Sequence, residues 1–175
     1  GHANVWAPIA ADTSRGLFFL PTSSPSPDFF GGERAGDNRY ANSVVALEAK
    51  TGKVRWHFQT VHHDVWDYDL GSQPTLLDYK DTPAILLPSK QGDIYILDRE
   101  TGEPLTPVGE LTGLPRGHIE PDYISGSQPV SQWHALRMPP LEEKDAWGFT
   151  PLDQLWCRIQ YRRANYEGIY TPPSS

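Results

Sequence analysis

Up to about Thr106 the apolar positions either alternate with polar ones or gather in short runs, a pattern that predicts β-strands. "VWAPIAAD" and "GLFFLPTS" read as two strands joined by a turn at "DTSRG". A polar, Gly-rich stretch, "SPSPDFFGGERAGDNRYAN", separates them from "SVVALEA", a "KTG" turn and "KVRWHFQT", in which Val54, Trp56 and Phe58 alternate to one face. "AILLPSK" and "DIYILDR" make a further hairpin around Gln91 and Gly92. From about Gly109 to Gly148 the periodicity gives way to a Pro-rich connection that reads as a surface excursion. "TPLDQLWCRIQYRRANYEG" then predicts a helix near 151–166, with Thr150 as N-cap, Pro151 as first helical residue and Asp153 completing a capping box. Leu152, Leu155, Trp156 and Ile159 form its expected buried stripe, Cys157 is expected to pack, and Gly168 is the stop.

Two segments echo each other. "ALEAKTGKVRW" and "ILDRETGEPLT" superpose at an offset of 50, sharing a leucine, a Thr-Gly turn and strand character on both sides. Thr-Gly suits a tight turn because glycine accepts positive φ. A period in this range, built on short strands, is the mark of a propeller blade. Trp56, four residues after Gly52, is placed to dock between neighbouring blades, and the second copy lacks this tryptophan. The fold class expected is therefore all-β, a partial β-propeller, with a blade region over 1–108 and an inter-blade excursion carrying the helix over 109–175.

Composition narrows the classes of function. The 175 residues are enough for one domain with a real core, and the net charge of -7 argues against a nucleic-acid partner or an acidic membrane surface. No apolar run reaches the roughly 18 residues needed to span a bilayer. One cysteine excludes an intrachain disulfide, and 17 prolines, 15 glycines and 6 tryptophans suit loop-rich β structure.

The densest chemistry lies in "VHHDVWDYD", Val61 to Asp69. On extended chain Asp67 and Asp69 share a face. They then form either a half-site for a hard cation with a general base, or a solvated acidic loop. His62 and His63 are adjacent and would point oppositely, without metal-ligand spacing. Lys90, ending "AILLPSK", either snorkels to solvent or stands at a pocket mouth as a fixed positive charge. "GDN" at Gly36 to Asn38 is by itself a turn, and Trp6 by itself a core aromatic.

Taken together, "NVWAPIAAD", "GGERAGDNRYANSVVALEAKTGKVRWHFQTVHHDVWDYDLGSQPTLLD", "SKQGDIYILDRETGEPL" and "EGIYTPPS" resemble the pyrroloquinoline quinone (PQQ)-dependent dehydrogenases, in particular the membrane-bound glucose and quinate/shikimate branch. The resemblance covers almost the whole chain. It implies about two blades of an eight-bladed quinoprotein propeller, and a fragment that should be inactive alone. It also implies that Trp6 stacks under PQQ, that Asn38, Asp67 and Asp69 contribute to the Ca²⁺ site (with Mg²⁺ or a lanthanide as alternatives), and that Lys90 bonds the quinone oxygens. Asp67 would be the base that takes the substrate hydroxyl proton as hydride passes to the metal-polarised quinone, with Asp64 as the second candidate base. The substrate expected is a sugar, polyol or quinate-type alcohol. Ubiquinone or a cytochrome would accept the electrons, on a periplasmic parent either membrane-anchored or free.

Two other readings compete. Repeats such as "ALEAKTGKVRW" also suit a non-catalytic propeller scaffold, which gives no reason to keep Trp-Asp-Tyr-Asp, Asn38 and Lys90 together. A zinc hydrolase using His62, His63 and Asp64 lacks ligand spacing and a nucleophile motif.

Overall fold

Antiparallel pairing begins where the first predicted turn places it. In the computed structural model, which describes residues 2–117 and 124–173, β1 (Ala10–Asp12), β2 (Leu17–Pro21), β3 (Ser43–Glu48) and β4 (Val54–Gln59) form a meander in the order β1-β2-β3-β4. The first strand is shorter than "VWAPIAAD" suggests. Pro8 has no N–H to give to a ladder, and pairing starts only at Ala10. Ala10, Phe19, Ala46 and Trp56 pair in one row across the sheet, so small and large side chains alternate along it, and all four are buried. Trp56 and Phe58 turn toward the core as the alternation predicts. Val54 does not: a bulge between Ala46 and Leu47 re-aims the strand, and Val54 is 41% exposed.

A second sheet holds β5 (Thr75–Tyr79), β6 (Thr82–Pro88) and β7 (Ile94–Asp98). Its Ile85, Leu87, Tyr95 and Leu97 share one core with Phe19, Val44, Trp56 and Leu70 from the first sheet and the chain that follows it. Along the free edge of β7 a fourth row is split between two pieces of chain. Pro104 bridges Leu97 and Trp133 bridges Ile94, with Leu105 N donating to Ile96 O at 2.7 Å and Ile94 N to Trp133 O at 2.7 Å. Between these pieces β8 (Val108–Thr112) and β9 (Ser127–Ser131) pair as a two-stranded ribbon. The stretch from Gly109 onward, read from the sequence as a Pro-rich surface excursion, thus carries a pair of strands. The strands escape a hydrophobic reading because the side chains that turn inward on β9 include Gln128 (0% exposed) and Ser131 (1%).

The repeated Thr-Gly turns are superposable in their bonding. Gly52 N donates to Glu48 O at 2.8 Å and Glu48 N to Lys53 O at 2.9 Å. Fifty residues on, Gly102 N donates to Asp98 O at 2.9 Å and Asp98 N to Glu103 O at 2.8 Å. Both glycines have positive φ, 68° and 78°. At the second turn glycine is needed twice over, since a Cβ on Gly102 would sit 2.6 Å from the Trp56 ring. Trp56 therefore docks on the next sheet's turn, and its Nε1 donates to Arg99 O at 3.2 Å. Arg99, just past β7, donates from Nη1 to Asp12 Oδ2 on β1 at 2.9 Å and from Nη2 to Leu77 O at 2.6 Å. These contacts join the sheets as successive blades.

The helix α1 (Pro151–Arg163) starts as predicted, with Thr150 and Asp153 in a reciprocal capping box. It ends at Ala164, ahead of Gly168. Its apolar side is not buried: Leu152 is 77% exposed, Leu155 53%, Trp156 60% and Ile159 40%, and Cys157 is exposed too. Polar contacts hold the helix instead, Arg162 to Glu143 at 2.7 Å and Tyr161 Oη to Leu141 O at 2.7 Å, so it lies flank-on beside the ribbon's exit chain. No helix among the described residues is long and apolar enough to cross a membrane.

Burial would raise the Asp12 carboxyl, but hydrogen bonds from Ser14, Arg99 and Arg15 outweigh it and hold the group well below the usual carboxylate range. A depressed folded-state pKa adds stability above the unfolded value of about 3.9, and that stability is lost as pH falls below it. Asp12→Ala should cost about 3–5 kcal/mol at pH 7, as expected when one partner of a buried pair is removed. In urea titrations the difference from wild type should shrink between pH 4 and pH 2; a constant difference would refute the assignment.

Candidate functional site

The chain between the two sheets, residues 60–74, carries the acidic cluster, and its apolar residues anchor it. Val61, Val65 and Leu70 are 0%, 1% and 0% exposed. Between these anchors the backbone is not extended: His63 has φ 44° and Asp67 φ 62°, a left-handed conformation that aspartate tolerates better than most residues. The shared face of Asp67 and Asp69 is therefore made by a turn and not by strand alternation. The carboxylates still meet. Burial pushes the Asp69 carboxyl above its ordinary value, the negative charge of Asp67 adds to this, and the Ser24 N–H and Lys90 oppose it.

Lys90 stands at the tip of the β6–β7 hairpin, where Gly92 N closes the turn on Ser89 O at 3.0 Å. Its Nζ donates to Asp67 Oδ2 at 3.0 Å and to the Asp67 carbonyl. The Lys90 side chain lines a cleft while remaining exposed to solvent. Trp6 arrives from the segment ahead of β1, which is pinned by Asn4 and Ser23: Asn4 N donates to Ser23 Oγ at 2.7 Å and Ser23 N to Asn4 O at 2.8 Å. The edge of its indole lies against Gly71, where a Cβ would come within 2.9 Å of Cη2, and the rest of the ring is open, 59% exposed. Trp6, Asp69, Gly71, Ser72, Ser89 and Lys90 line a cleft of about 220 Å³. A larger hollow of about 820 Å³, with Trp66, Tyr68, Met138, Tyr166 and Ile169 in its wall, shares Lys90 with it.

Asn38 is not brought to this cleft. Its Oδ1 accepts from Arg34 Nη1, and its Nδ2 donates to Arg34 O at 3.2 Å and Gly36 O at 3.1 Å, so both ends of the amide serve its own loop. The histidines are supports. His63 lies between the Gly31 and Gly36 carbonyls, each 3.2 Å from a ring nitrogen. The His62 backbone is held on both sides by the buried Gln128 amide at 2.8 and 2.7 Å, and its ring faces Glu110 at 3.2 Å. Among the described residues no three His, Cys, Asp or Glu side chains converge on one point, so no zinc-type cage forms. Asp67 and Asp69 offer a hard cation two carboxylates of the six to eight oxygens it takes.

Three contributors were not legible beforehand. The Ser24 backbone N–H donates to Asp69 Oδ1 at 2.6 Å. Asn42, with φ 47°, donates to Asp64 Oδ2 at 2.7 Å and to Tyr68 O at 2.9 Å. The chain around Tyr170 closes over the loop: Trp66 Nε1 donates to Thr171 O at 3.0 Å, Tyr68 Oη donates to Ile169 O, and the buried Tyr170 ring stands edge-on to both aromatics. Only the preference of Asn for left-handed backbone could have flagged Asn42. Backbone donors and lid contacts across a hundred residues leave no mark on a sequence.

The family model described as "Glucose/ethanol/alcohol dehydrogenase, beta-propeller domain" (PQQ) matches residues 1–175. The glycerol dehydrogenase large subunit of Gluconobacter thailandicus is 46% identical over 99% of this chain and 24% of its own length. Quinoprotein glucose dehydrogenase A of Acinetobacter calcoaceticus is 44% identical over 98% of this chain and 23% of its own. The probable quinate dehydrogenase (quinone) of Xanthomonas campestris pv. juglandis is 43% identical over 98% and 22%. Among solved structures a europium-containing methanol dehydrogenase superposes with a TM-score of 0.56 at 28% identity, over 73% of this chain and 22% of that one. The chain thus spans about a quarter of the length of the curated relatives it matches.

A carboxyl whose folded-state pKa is raised destabilises the fold above the unfolded value of about 3.9, and not below it. Asp69→Asn should therefore stabilise the protein at pH 7 in chelator-treated buffer, by less than about 1 kcal/mol for so solvent-screened a pair. The gain should vanish as the pH approaches 4. Thermal melts of the two proteins across this range check it, and a loss of stability at pH 7 would contradict the assigned geometry.

Proposed function

Starting from the chain's membership of the PQQ-dependent glucose/ethanol/alcohol dehydrogenase β-propeller family, we propose that the complete protein oxidises a sugar, polyol or quinate-type alcohol, and that the cleft between Trp6 and Lys90 is this segment's share of the cofactor site. One observation carries the reading: an open indole face, a hairpin-tip ammonium tied to a carboxylate, and a second carboxylate line one small cleft.

The donors suit PQQ, a flat and anionic quinone. Trp6 offers a planar apolar floor that Gly71 backs without filling. Lys90 offers a cation at the edge of that floor. Asp67 and Asp69 suit the oxygen preference of Ca²⁺, with Mg²⁺ or a lanthanide as alternatives, and the remaining oxygens would come from elsewhere in the complete protein. When bound, PQQ is the two-electron acceptor and the cation a Lewis acid beside it.

The chain's own residues then have distinct tasks. Asp67 Oδ2 accepts the proton of the substrate hydroxyl; its side chain is partly exposed and bonded to Lys90, which lines the cleft. Lys90 both holds Asp67 and presents positive charge where negative charge gathers during reduction, without having to reorganise. Asp69, fixed by the Ser24 N–H, keeps a second carboxylate beside the first, which favours a cation at the pair. The aromatic hollow that shares Lys90 suits the C–H faces of a ring alcohol. Ubiquinone or a cytochrome as electron acceptor, and a periplasmic location, rest on the resemblance alone.

Reconstitution of the complete protein with PQQ and Ca²⁺, assayed on glucose, glycerol, other polyols and quinate beside Asp67→Asn, tests the proposal. Turnover should require PQQ and fall by about 10²–10⁴-fold in the variant, the usual range for loss of a general base. No PQQ binding and no turnover in the wild type would leave a propeller scaffold as the reading.

A further inference from the structure

Asp64 is the second carboxylate that the sequence offers as a base, and the structure removes it from that role. It is 0% exposed and both its oxygens are occupied. Oδ1 accepts from Trp66 N at 2.8 Å; Oδ2 accepts from Tyr68 N at 2.8 Å and from Asn42 Nδ2 at 2.7 Å. No proton from a substrate can reach it. Its bonds instead describe a loop wrapped around one anion.

Asp67 is the residue that this wrapping brackets. The N–H of the residue before it and the N–H of the residue after it both end on Asp64. Asn42 spends its second amide hydrogen on the Tyr68 carbonyl at 2.9 Å, and Arg34 Nη2 donates to the Asp64 carbonyl at 2.6 Å, which fixes the loop's start. Asp67 sits inside this frame at φ 62°, a left-handed state that costs a non-glycine residue some energy and that the bracketing bonds hold in place. From that state its carboxylate reaches Lys90 and its carbonyl also meets the ammonium.

We propose that Asp64 is the positioning residue of the site: its buried carboxylate, with Asn42 as bridge, sets the left-handed turn that aims Asp67 at Lys90 and the cleft. This rests on the reading of Asp67 as the base. It also explains why the position calls for a carboxylate and not an amide. Two N–H donors converge on Oδ2, so an asparagine of equal size would set its NH₂ against them, and flipping that amide would set it against the Trp66 N–H.

The test uses the complete protein loaded with PQQ and Ca²⁺, in three forms: wild type, Asp64→Asn and Asn42→Gly. Glycine at 42 removes the bridge while keeping the left-handed backbone at no steric cost, so it covers the case in which Asp64→Asn does not fold. Each folded variant should keep its substrate KM and PQQ affinity within about threefold and lose about 10²-fold in kcat, the scale of a misplaced reacting group. A folded variant with wild-type kcat, or one whose kcat, KM and PQQ affinity fail together, would overturn the proposal. A crystal structure of the folded variant decides independently of activity: Asp67 should leave positive φ or lose its contact with Lys90. An unmoved Asp67 would sink the positioning role, whereas a wild type without PQQ-dependent turnover would sink the dehydrogenase reading and leave this structural comparison to decide the role of Asp64.

Discussion

The guanidinium of Arg99 holds the two sheets in one register, and the site depends on that register. It bonds Leu77 O and Ala84 O within its own sheet and Asp12 in the neighbouring one, while its carbonyl receives the Trp56 indole. Trp6 enters with the first sheet, Lys90 stands on a hairpin of the second, and Asp67 lies on the chain that passes between them. None of the three is close to another in sequence. A seam that slid by one residue would separate the indole from the ammonium, and the cleft would not exist.

Within that frame the site stores unfavourable local choices. Two carboxylates lie side by side, one lysine spends its charge on the first of them, and a non-glycine residue is held at positive φ. Such features cluster where a protein trades stability for function. They are supported by groups with little freedom: a buried aspartate with three donors, a buried glutamine that holds the His62 backbone on both sides, and a tyrosine lid returning from residue 170. The supporting shell is larger than the set of residues that face the cleft.

How far the sequence revealed this varied with the physics of each part. The sheets and the Thr-Gly repeat were legible because alternation and glycine's backbone freedom are local properties. Trp56 was legible as an inter-blade dock for the same reason. The β8–β9 ribbon was not, because the buried side chains of β9 include the polar Gln128 and Ser131, which are satisfied by hydrogen bonds. The apolar side of α1 has the spacing of a buried stripe, yet among the described residues it stays exposed, since spacing reports which residues share a face and not what covers it. At the site, Trp6, Asp67, Asp69 and Lys90 were grouped through family resemblance; the structure places Trp6, Asp69 and Lys90 on one cleft and bonds Asp67 to Lys90. Asn38 shared the motif but lies in its own loop, Ser24 acts through a backbone N–H that no residue pattern announces, and Asn42 left only the mark of asparagine's tolerance for left-handed backbone.

The role of this cleft turns on where the cofactor lies. The most direct measurement is a crystallographic or cryo-electron microscopy map of the complete protein prepared with PQQ and Ca²⁺. The proposed site predicts planar density against the open face of Trp6, in contact with the Lys90 ammonium, and a cation peak beside Asp67 and Asp69. Planar density elsewhere, with Trp6 covered by protein and Lys90 turned to solvent, would contradict it.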